Sequence, residues 1–229
     1  MPIQAFPPHD FADPDGLLAV GGDLSTESLL LAYRSGIFPW PLDESLLTWF
    51  SPPERALLFL KDFHAPRSLH KARKRGGYEI RFDSDFPAVI SACRESPKRF
   101  DAKGHPQRGT WITADMVEAY IALHHAGYAH SVECWRDGAL VGGLYGVSIG
   151  RYFAGESMFY RHTNASKLAL WHLIDWLSAA NVDWIDCQVI TPLFSAFGAQ
   201  TVPREQFLAL LATEIAAPPL DFTTTRSSV

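Results

Sequence analysis

The sequence predicts an α+β fold: a mixed sheet with helices on both faces, joined to a small N-terminal unit rich in proline and aromatic residues. Three observations carry this. Ala129–Trp135 and Ala139–Ile149 are β-type runs flanking Asp137-Gly138, a two-residue turn signal that closes an antiparallel hairpin. Arg151–Val189 reads as strand, helix, strand, and a unit of that length pairs its two strands in parallel, so the sheet is mixed. Residues 1–57 differ in composition, with Phe6-Pro7-Pro8, Phe38-Pro39-Trp40-Pro41 and Trp49-Phe50-Ser51-Pro52-Pro53 crowded into a segment too short for a deep core. The expected division is therefore 1–57 and 58–229.

Each element has its own signal. In the N-terminal unit Ser25 caps a helix that runs to about Ser35 and stops at Gly36. Gly21-Gly22-Asp23 before it is a turn and not a phosphate loop, because neither GxGxxG nor GxxxxGK is present. A basic helix over about Pro66–Arg75 ends at Gly76-Gly77, and a strand, Tyr78–Phe82, follows. Asp85–Arg94 reads as a helix, Ser96–Arg108 as a polar loop, and Thr113 or Asp115 opens a helix to about His125. Gly142-Gly143 and Gly146 in the second hairpin strand predict a bulge or a close approach by a ligand. Arg151–Phe159 is the third strand of the meander, and its period of two puts Tyr152, Ala154, Glu156 and Met158 on one face. Asn164 caps the crossover helix, whose Leu168, Trp171, Leu173, Ile174 and Leu177 recur at helical spacing. Val182–Val189 returns as a strand, Thr191–Gly198 connects, Gln200–Pro203 is a short strand and Arg204–Ala216 a helix. The tail from Pro218 is expected to fray.

Composition narrows the function. At 229 residues and 47% hydrophobic the chain can bury a core, and no apolar run approaches the length of a membrane span. Positions 1–30 lack a basic segment followed by an apolar one, so no standard export signal is expected. Three scattered cysteines, Cys93, Cys134 and Cys187, with no CxxC pair, argue against a disulfide framework or a cysteine zinc site and suit a reducing cytoplasm. His124-His125 lack a metal-binding carboxylate spacing, which leaves them a structural or surface role. The net charge of −5 hides an uneven distribution: His64–Arg81 holds six Arg or Lys against the single acid Glu79. Such a stripe is either a solvated helix face or a local grip on a phosphate backbone.

The chemistry-bearing residues lie on the strand–helix–strand unit. Asp186 and Gln188 are two apart and point to one side of the sheet, and Glu156 lies on the strand before the helix. If the two strands are neighbours, three polar side chains converge in an apolar sheet, where a carboxylate must be paired, hydrogen-bonded or used. Bracing a loop or capping a helix is the alternative reading of Asp186 and Glu156.

Helix, three antiparallel strands, crossover helix, parallel strand and helix is the element order of GNAT acyltransferases. Acetyl-CoA-using members hold pyrophosphate on a Gly-rich turn at the start of the crossover helix. Here that turn is Tyr160-Arg161-His162-Thr163-Asn164-Ala165-Ser166, without glycine, which argues against CoA as donor. The sequence further resembles the leucyl/phenylalanyl-tRNA–protein transferase family from about Gly16 to Phe207. The matching motifs are Gly16-Leu-Leu-Ala-Val-Gly-Gly-Asp-Leu-Ser25, Gly36-Ile-Phe-Pro-Trp40, Trp49-Phe-Ser-Pro52, Gly109-Thr-Trp-Ile-Thr113, Leu140-Val-Gly-Gly-Leu-Tyr-Gly146, Gly155-Glu-Ser-Met-Phe159, Asn164-Ala-Ser-Lys167 and Ile185-Asp-Cys-Gln188.

That resemblance implies transfer of Leu or Phe, and Met less well, from aminoacyl-tRNA to the N-terminal Arg or Lys of a protein, which then enters the N-end degradation pathway. It implies no metal or dissociable cofactor and a cytoplasmic, monomeric enzyme. By the resemblance, Trp40 and Trp111 hold the 3′-terminal adenosine, and the donor side chain enters a pocket of Leu144, Phe153, Leu170 and Leu173, with Ser157 also against the substrate. Gln188 lies near the attacking amine, Asp186 orients and polarises it, and Glu156 hydrogen-bonds donor-side groups. Arg67, Lys71, Arg73, Lys74 and Arg75 match the family in basic character and are the candidate tRNA contacts. Thr191–Ala199 departs from the family, with Leu193 or Phe194 where a histidine often stands. A CoA-dependent acetyltransferase, a non-catalytic tRNA-binding module and a FemX-like peptidoglycan transferase are the rival readings.

Overall fold

The computed structural model describes residues 1–41, 46–96, 99–100, 106–107, 110–223 and 226–228, the pieces 99–100, 106–107 and 226–228 by backbone alone. The N-terminal segment forms a three-stranded sheet from β1 (Leu17–Val20), β2 (Phe38–Pro39) and β3 (Thr48–Phe50), in the order β1-β3-β2. The large sheet contains β4 (Glu54–Phe59) and β5 (Glu79–Phe82). After a separate ladder of β6 (Arg99–Phe100) and β7 (Pro106–Gln107), it continues with β8 (Ala129–Arg136), β9 (Ala139–Ile149), β10 (Tyr152–Tyr160), β11 (Trp184–Gln188), β12 (Gln200–Pro203) and β13 (Arg226–Ser228). Its order is β12-β4-β11-β10-β9-β8-β5-β13, and the one parallel pair is β10 with β11.

The predicted hairpin closes through Asp137 at φ 51° and Gly138 at φ 77°, the two left-handed positions that match the twist of paired strands. Among the described residues seven α-helices accompany the strands: α1 (Thr26–Arg34), α2 (Arg67–Arg75), α3 (Phe86–Glu95), α4 (Ala114–His125), α5 (Ala165–Ala179), α6 (Pro192–Ala196) and α7 (Arg204–Ile215). Ser25, Asp85 and Thr113 cap α1, α3 and α4 with side-chain oxygens, each satisfying a backbone N–H that the helix leaves open. The sheet has two cores. On one face α1, α3, α4 and α7 bury residues such as Tyr33, Val89, Tyr120 and Phe207. On the other, α5 buries Leu170, Leu173 and Leu177 against Phe153 and Ile185.

Several expectations are corrected. β4 is a central strand between β12 and β11, yet no strand was expected there. Only Ser51-Pro52-Pro53 separates it from the small sheet. Thr191–Gly198 is not a bare connection: Thr191 caps the short helix α6. Asn164 stands at the N-cap of α5 but makes no side-chain cap; it takes the left-handed turn (φ 70°) that opens the helix. Met158 does not share a face with Tyr152 and Ala154, because a bulge between Gly155 and Ser157 adds a residue and shifts the alternation. The bulge expected around Gly142 is present, with Val141 the extra residue of β9 opposite Cys134 and Trp135, and the close approach at Gly142 comes from the protein itself: a Cβ there would lie 2.6 Å from the Ala165 Cβ at the start of α5. The tail does not fray at Pro218, since Phe222 is buried and β13 pairs with β5 as the edge strand of the sheet. Most of the predicted loop Ser96–Arg108 lies outside the described residues. No described helix is long and apolar enough to cross a membrane.

Candidate active site

The parallel strands β10 and β11 meet at Ala154 and Asp186 and part beyond that point. Both are irregular there. Glu156 is the extra residue of the β10 bulge. On β11 the register shifts between Asp186 and Gln188, and Gln188 sits at φ 61°, a conformation that costs a non-glycine residue about 1–3 kcal/mol. The distortions face each other and bring the two side chains together: Gln188 Nε2 donates to Glu156 Oε1 at 2.6 Å. Tyr120 of α4 donates to Glu156 Oε2 at 3.3 Å, and its hydroxyl lies 2.5 Å from that of Tyr33 on α1. Burial pushes the Glu156 carboxyl up to about 7, and the nearby charge of Asp186 adds to the rise, while hydrogen bonds from Tyr33, Tyr120 and Gln188 oppose it. Glu156 is therefore a group that can hold or release a proton near neutrality.

Asp186 is in a different condition. Arg55 Nε and Nη2 donate to its two oxygens at 2.9 and 2.7 Å. The Tyr152 hydroxyl donates to Oδ2 at 2.5 Å, and the backbone N–H of Gln188 donates to Oδ1 at 2.7 Å. Asp186 is fully buried and Arg55 is 1% exposed. The guanidinium lies 4.6 Å from the Phe38 ring centre and 4.5 Å from that of Phe207, and Nη1 donates to Gly36 O. Burial would weaken the proton affinity of Arg55, but Asp186 more than reverses this and holds the guanidinium charged. Burial, and then the charge of Asp186, push Tyr152 well above the ordinary phenol range. Both Asp186 oxygens accept hydrogen bonds from within the protein, Oδ1 among them from the backbone N–H at the Gln188 turn.

On the α5 side of the parting lies an apolar cavity of about 50 Å³. Leu144, Phe153, Leu170, Leu173 and Ser157 line it together, with Glu156 at the same wall. Ile185 and Phe194 also line it, and Phe194 stands in the stretch where the sequence leaves the family pattern. Trp40, just after β2, and Trp111, just before α4, are brought together, their rings 5.9 Å apart and tilted by 37°, both half-buried. The basic residues of α2 divide. Arg67, Lys71, Lys74 and Arg75 are exposed and have no ion pair among the described residues. Arg73 binds Asp175 at 2.7 Å and lies 4.3 Å from the Trp171 ring centre. His124 stacks on Phe86 and binds Ala129 O, a structural role. Among the described residues no cluster of three His, Cys, Asp or Glu is placed to hold a metal ion.

Sequence reading missed Arg55, Tyr33, Tyr120 and Tyr152. For Arg55 a signal was available: Ala56-Leu57-Leu58-Phe59 after Pro52-Pro53 is a short apolar run of the kind that makes a buried strand, opened by a charge. The tyrosines read as ordinary helix and strand core, and nothing in their spacing distinguishes them.

The sequence model described as leucyl/phenylalanyl-tRNA protein transferase matches residues 57–212, and that of the N-terminal domain of the same proteins matches residues 22–53. A protein named leucyl/phenylalanyl-tRNA–protein transferase from Anaeromyxobacter dehalogenans is 51% identical over 94% of this chain and 90% of its own length. One of the same name from Methylococcus capsulatus is 50% identical over 91% of this chain and 87% of its own. Among solved structures, the C-terminal domain of a lysylphosphatidylglycerol synthetase from Agrobacterium fabrum superposes with a TM-score of 0.43 at 11% identity, covering 84% of this chain and 70% of that one. That likeness is too slight to carry an argument.

Proposed function

The chain belongs to the leucyl/phenylalanyl-tRNA–protein transferase family, and from that premise we propose how the parting of β10 and β11 serves the reaction. The enzyme transfers Leu or Phe from aminoacyl-tRNA to the N-terminal Arg or Lys of a protein. The amine nitrogen bonds to the ester carbonyl carbon, the bond from that carbon to the tRNA 3′-oxygen breaks, and one amine proton ends on that oxygen. The balance needs no further reactant, because the ester is already activated. What the protein must supply is a proton holder, a means of positioning the amine, and a seat for the donor.

The observation that carries the assignment is the Glu156–Gln188 hydrogen bond at the edge of the apolar cavity. Glu156, raised to about 7, takes the amine proton and returns it to the leaving 3′-oxygen. A neutral amide is a poor base, so Gln188 positions: one N–H goes to Glu156 and its carbonyl accepts from the neutral amine, the N-terminal ammonium having already given one proton to water. Asp186 and Arg55 hold the left-handed turn at Gln188. Leu144, Phe153, Leu170 and Leu173 receive the donor side chain, Ser157 borders it, and Trp40 and Trp111 offer the terminal adenosine a stacking face. The exposed Arg67, Lys71, Lys74 and Arg75 meet phosphates of the tRNA, with Arg73 partly withheld by Asp175. We further read the eight-stranded sheet with its single parallel pair as GNAT-like, 1–57 as a separate unit that walls the site, and the enzyme as a cytoplasmic monomer. Its product is read as a substrate of N-end degradation, and Met as a poorer donor.

The test is transfer of labelled Leu from Leu-tRNA to a peptide beginning with Arg and to one beginning with Ala, with wild type and Glu156→Gln. Product is expected with the Arg peptide alone, reduced about 100-fold or more in the variant. Undiminished transfer by Glu156→Gln would remove Glu156 as the proton holder.

A further inference from the structure

Phe153 is the aromatic side chain that both lines the cavity and reaches the C-terminal tail. Its ring is confined on two sides. On one, Gly146 of β9 leaves space that a side chain would fill, since a Cβ there would lie 2.5 Å from the ring's Cζ atom. On the other, Phe222 lies 6.2 Å away, centre to centre, tilted by 33°. Phe222 does not itself line the cavity. It is held by its own neighbours: stacked on His130 at 3.7 Å and 8°, 4.7 Å from Trp176 and 6.0 Å from Phe82. His130 in turn is fixed by Asp83 through Nδ1 at 2.7 Å. A residue from the tail, only 6% exposed, thus packs beside the ring that walls the cavity.

We propose that Phe222 is a positioning residue for donor selection: it holds Phe153 against Gly146 and so sets how large an aminoacyl side chain the cavity admits. This rests on the reading of the cavity as the seat of the donor side chain. Packed cores resist small changes in volume, so a gap behind Phe153 lets its ring withdraw and deepens the cavity. One methylene of pocket space discriminates substrates by about 10-fold or more, so a ring displacement of that order is visible in a ratio of donors. A bulky aromatic donor gains from a deeper cavity, and a smaller branched one fills it less well.

The experiment measures kcat/KM for Phe-tRNA and Leu-tRNA with the full chain as wild type, Phe222→Ala, the milder Phe222→Leu, and Phe153→Leu, alongside thermal melting of each. The expected result is a shift of the Phe/Leu ratio toward Phe by about 10-fold in Phe222→Ala, a smaller shift the same way in Phe222→Leu, and a shift in Phe153→Leu. A lowered melting temperature with both donors reduced equally would overturn the proposal, for it would make Phe222 a residue of stability alone. If Phe153→Leu changes the ratio and neither Phe222 variant does, the tail has no part in selection while the pocket reading stands. If Phe153→Leu also leaves the ratio unchanged, the cavity is not the donor's seat and both ideas fall. Should Phe222→Ala not fold, Phe222→Leu decides by the same ratio.

Discussion

Two arginine–aspartate pairs in this protein have the same separation and opposite meanings. Arg55 and Asp186 meet at 2.7 Å with 1% and 0% of their side chains exposed. Arg73 and Asp175 also meet at 2.7 Å, but at 35% and 46% exposure. Distance does not separate them; solvent does. Around the first pair water is replaced by Phe38, Phe207 and the Tyr152 hydroxyl, so neither charge can be left alone without a large desolvation cost. Around the second, water screens each ion whether or not its partner is there. The buried pair therefore fixes geometry at the β10–β11 parting, whereas the exposed pair leaves its arginine available to another anion.

The strongest way to break this comparison is Arg55→Met. Removing one partner of a buried pair costs about 3–5 kcal/mol, because Asp186 is left charged in an apolar setting. Urea unfolding at neutral pH measures it, and a loss below about 1 kcal/mol would show that burial is not what distinguishes the two pairs. The double variant Arg55→Met with Asp186→Leu sharpens the point. Stability should largely return, since neither charge of the pair is left unpartnered, while transfer stays low, since nothing then holds the Gln188 backbone at its left-handed turn.

Glu156 offers the next largest effect. Its folded-state value is raised to about 7 from an ordinary 4.5, so between these values the folded protein binds a proton that the unfolded chain does not. That contribution to stability is complete below about pH 4.5 and is lost as the pH rises through 7. Glu156→Gln, which mimics the protonated form, should match wild type in unfolding near pH 4.5 and exceed it by about 2–3 kcal/mol near pH 8. The same variant should lose the rise in kcat/KM through pH 7 that deprotonation of Glu156 gives the wild type. An unchanged pH profile would mean that another group carries the proton.

These two residues also mark how far the sequence could be read. The hairpin at Asp137-Gly138 and the crossover unit were legible because local turn chemistry and periodicity decide them. That Glu156, Asp186 and Gln188 lie near one another was expected from the pairing of their strands, although facing irregularities and not simple alternation bring Glu156 and Gln188 into contact. Their polar partners were not, because Asp186 is paired by Arg55, which reaches it from 131 positions away along the chain. The facing bulges were invisible for a related reason: an inserted residue is set by what the neighbouring strand demands, and it sent Met158 to the face opposite the one predicted. The tail read as frayed because its composition is polar, yet a single residue, Phe222, has enough apolar surface to anchor it once His130 and Trp176 form a slot.

On the exposed side, Lys71→Glu with Lys74→Glu tests whether the unpaired cations of α2 meet tRNA. Affinity should fall, and the slope of log K against log salt should flatten by about 0.7–0.9 for each phosphate that is no longer neutralised. An unchanged slope would return the helix to a solvated face.

The smallest effect belongs to Arg73 and Asp175, and it is informative for being small. A double-mutant cycle with Arg73→Ala and Asp175→Asn should give a coupling of about 0–1 kcal/mol in stability. Arg73→Ala alone can cost somewhat more than that coupling, because the guanidinium also covers Trp171 at 4.3 Å. In tRNA binding the signs should separate: Arg73→Ala weakens it, while Asp175→Asn strengthens it slightly by releasing the guanidinium from a competing anion. A coupling above about 2 kcal/mol would place this pair with Arg55 and Asp186 despite its exposure, and equal effects of the two variants on tRNA affinity would mean that Arg73 acts through packing alone.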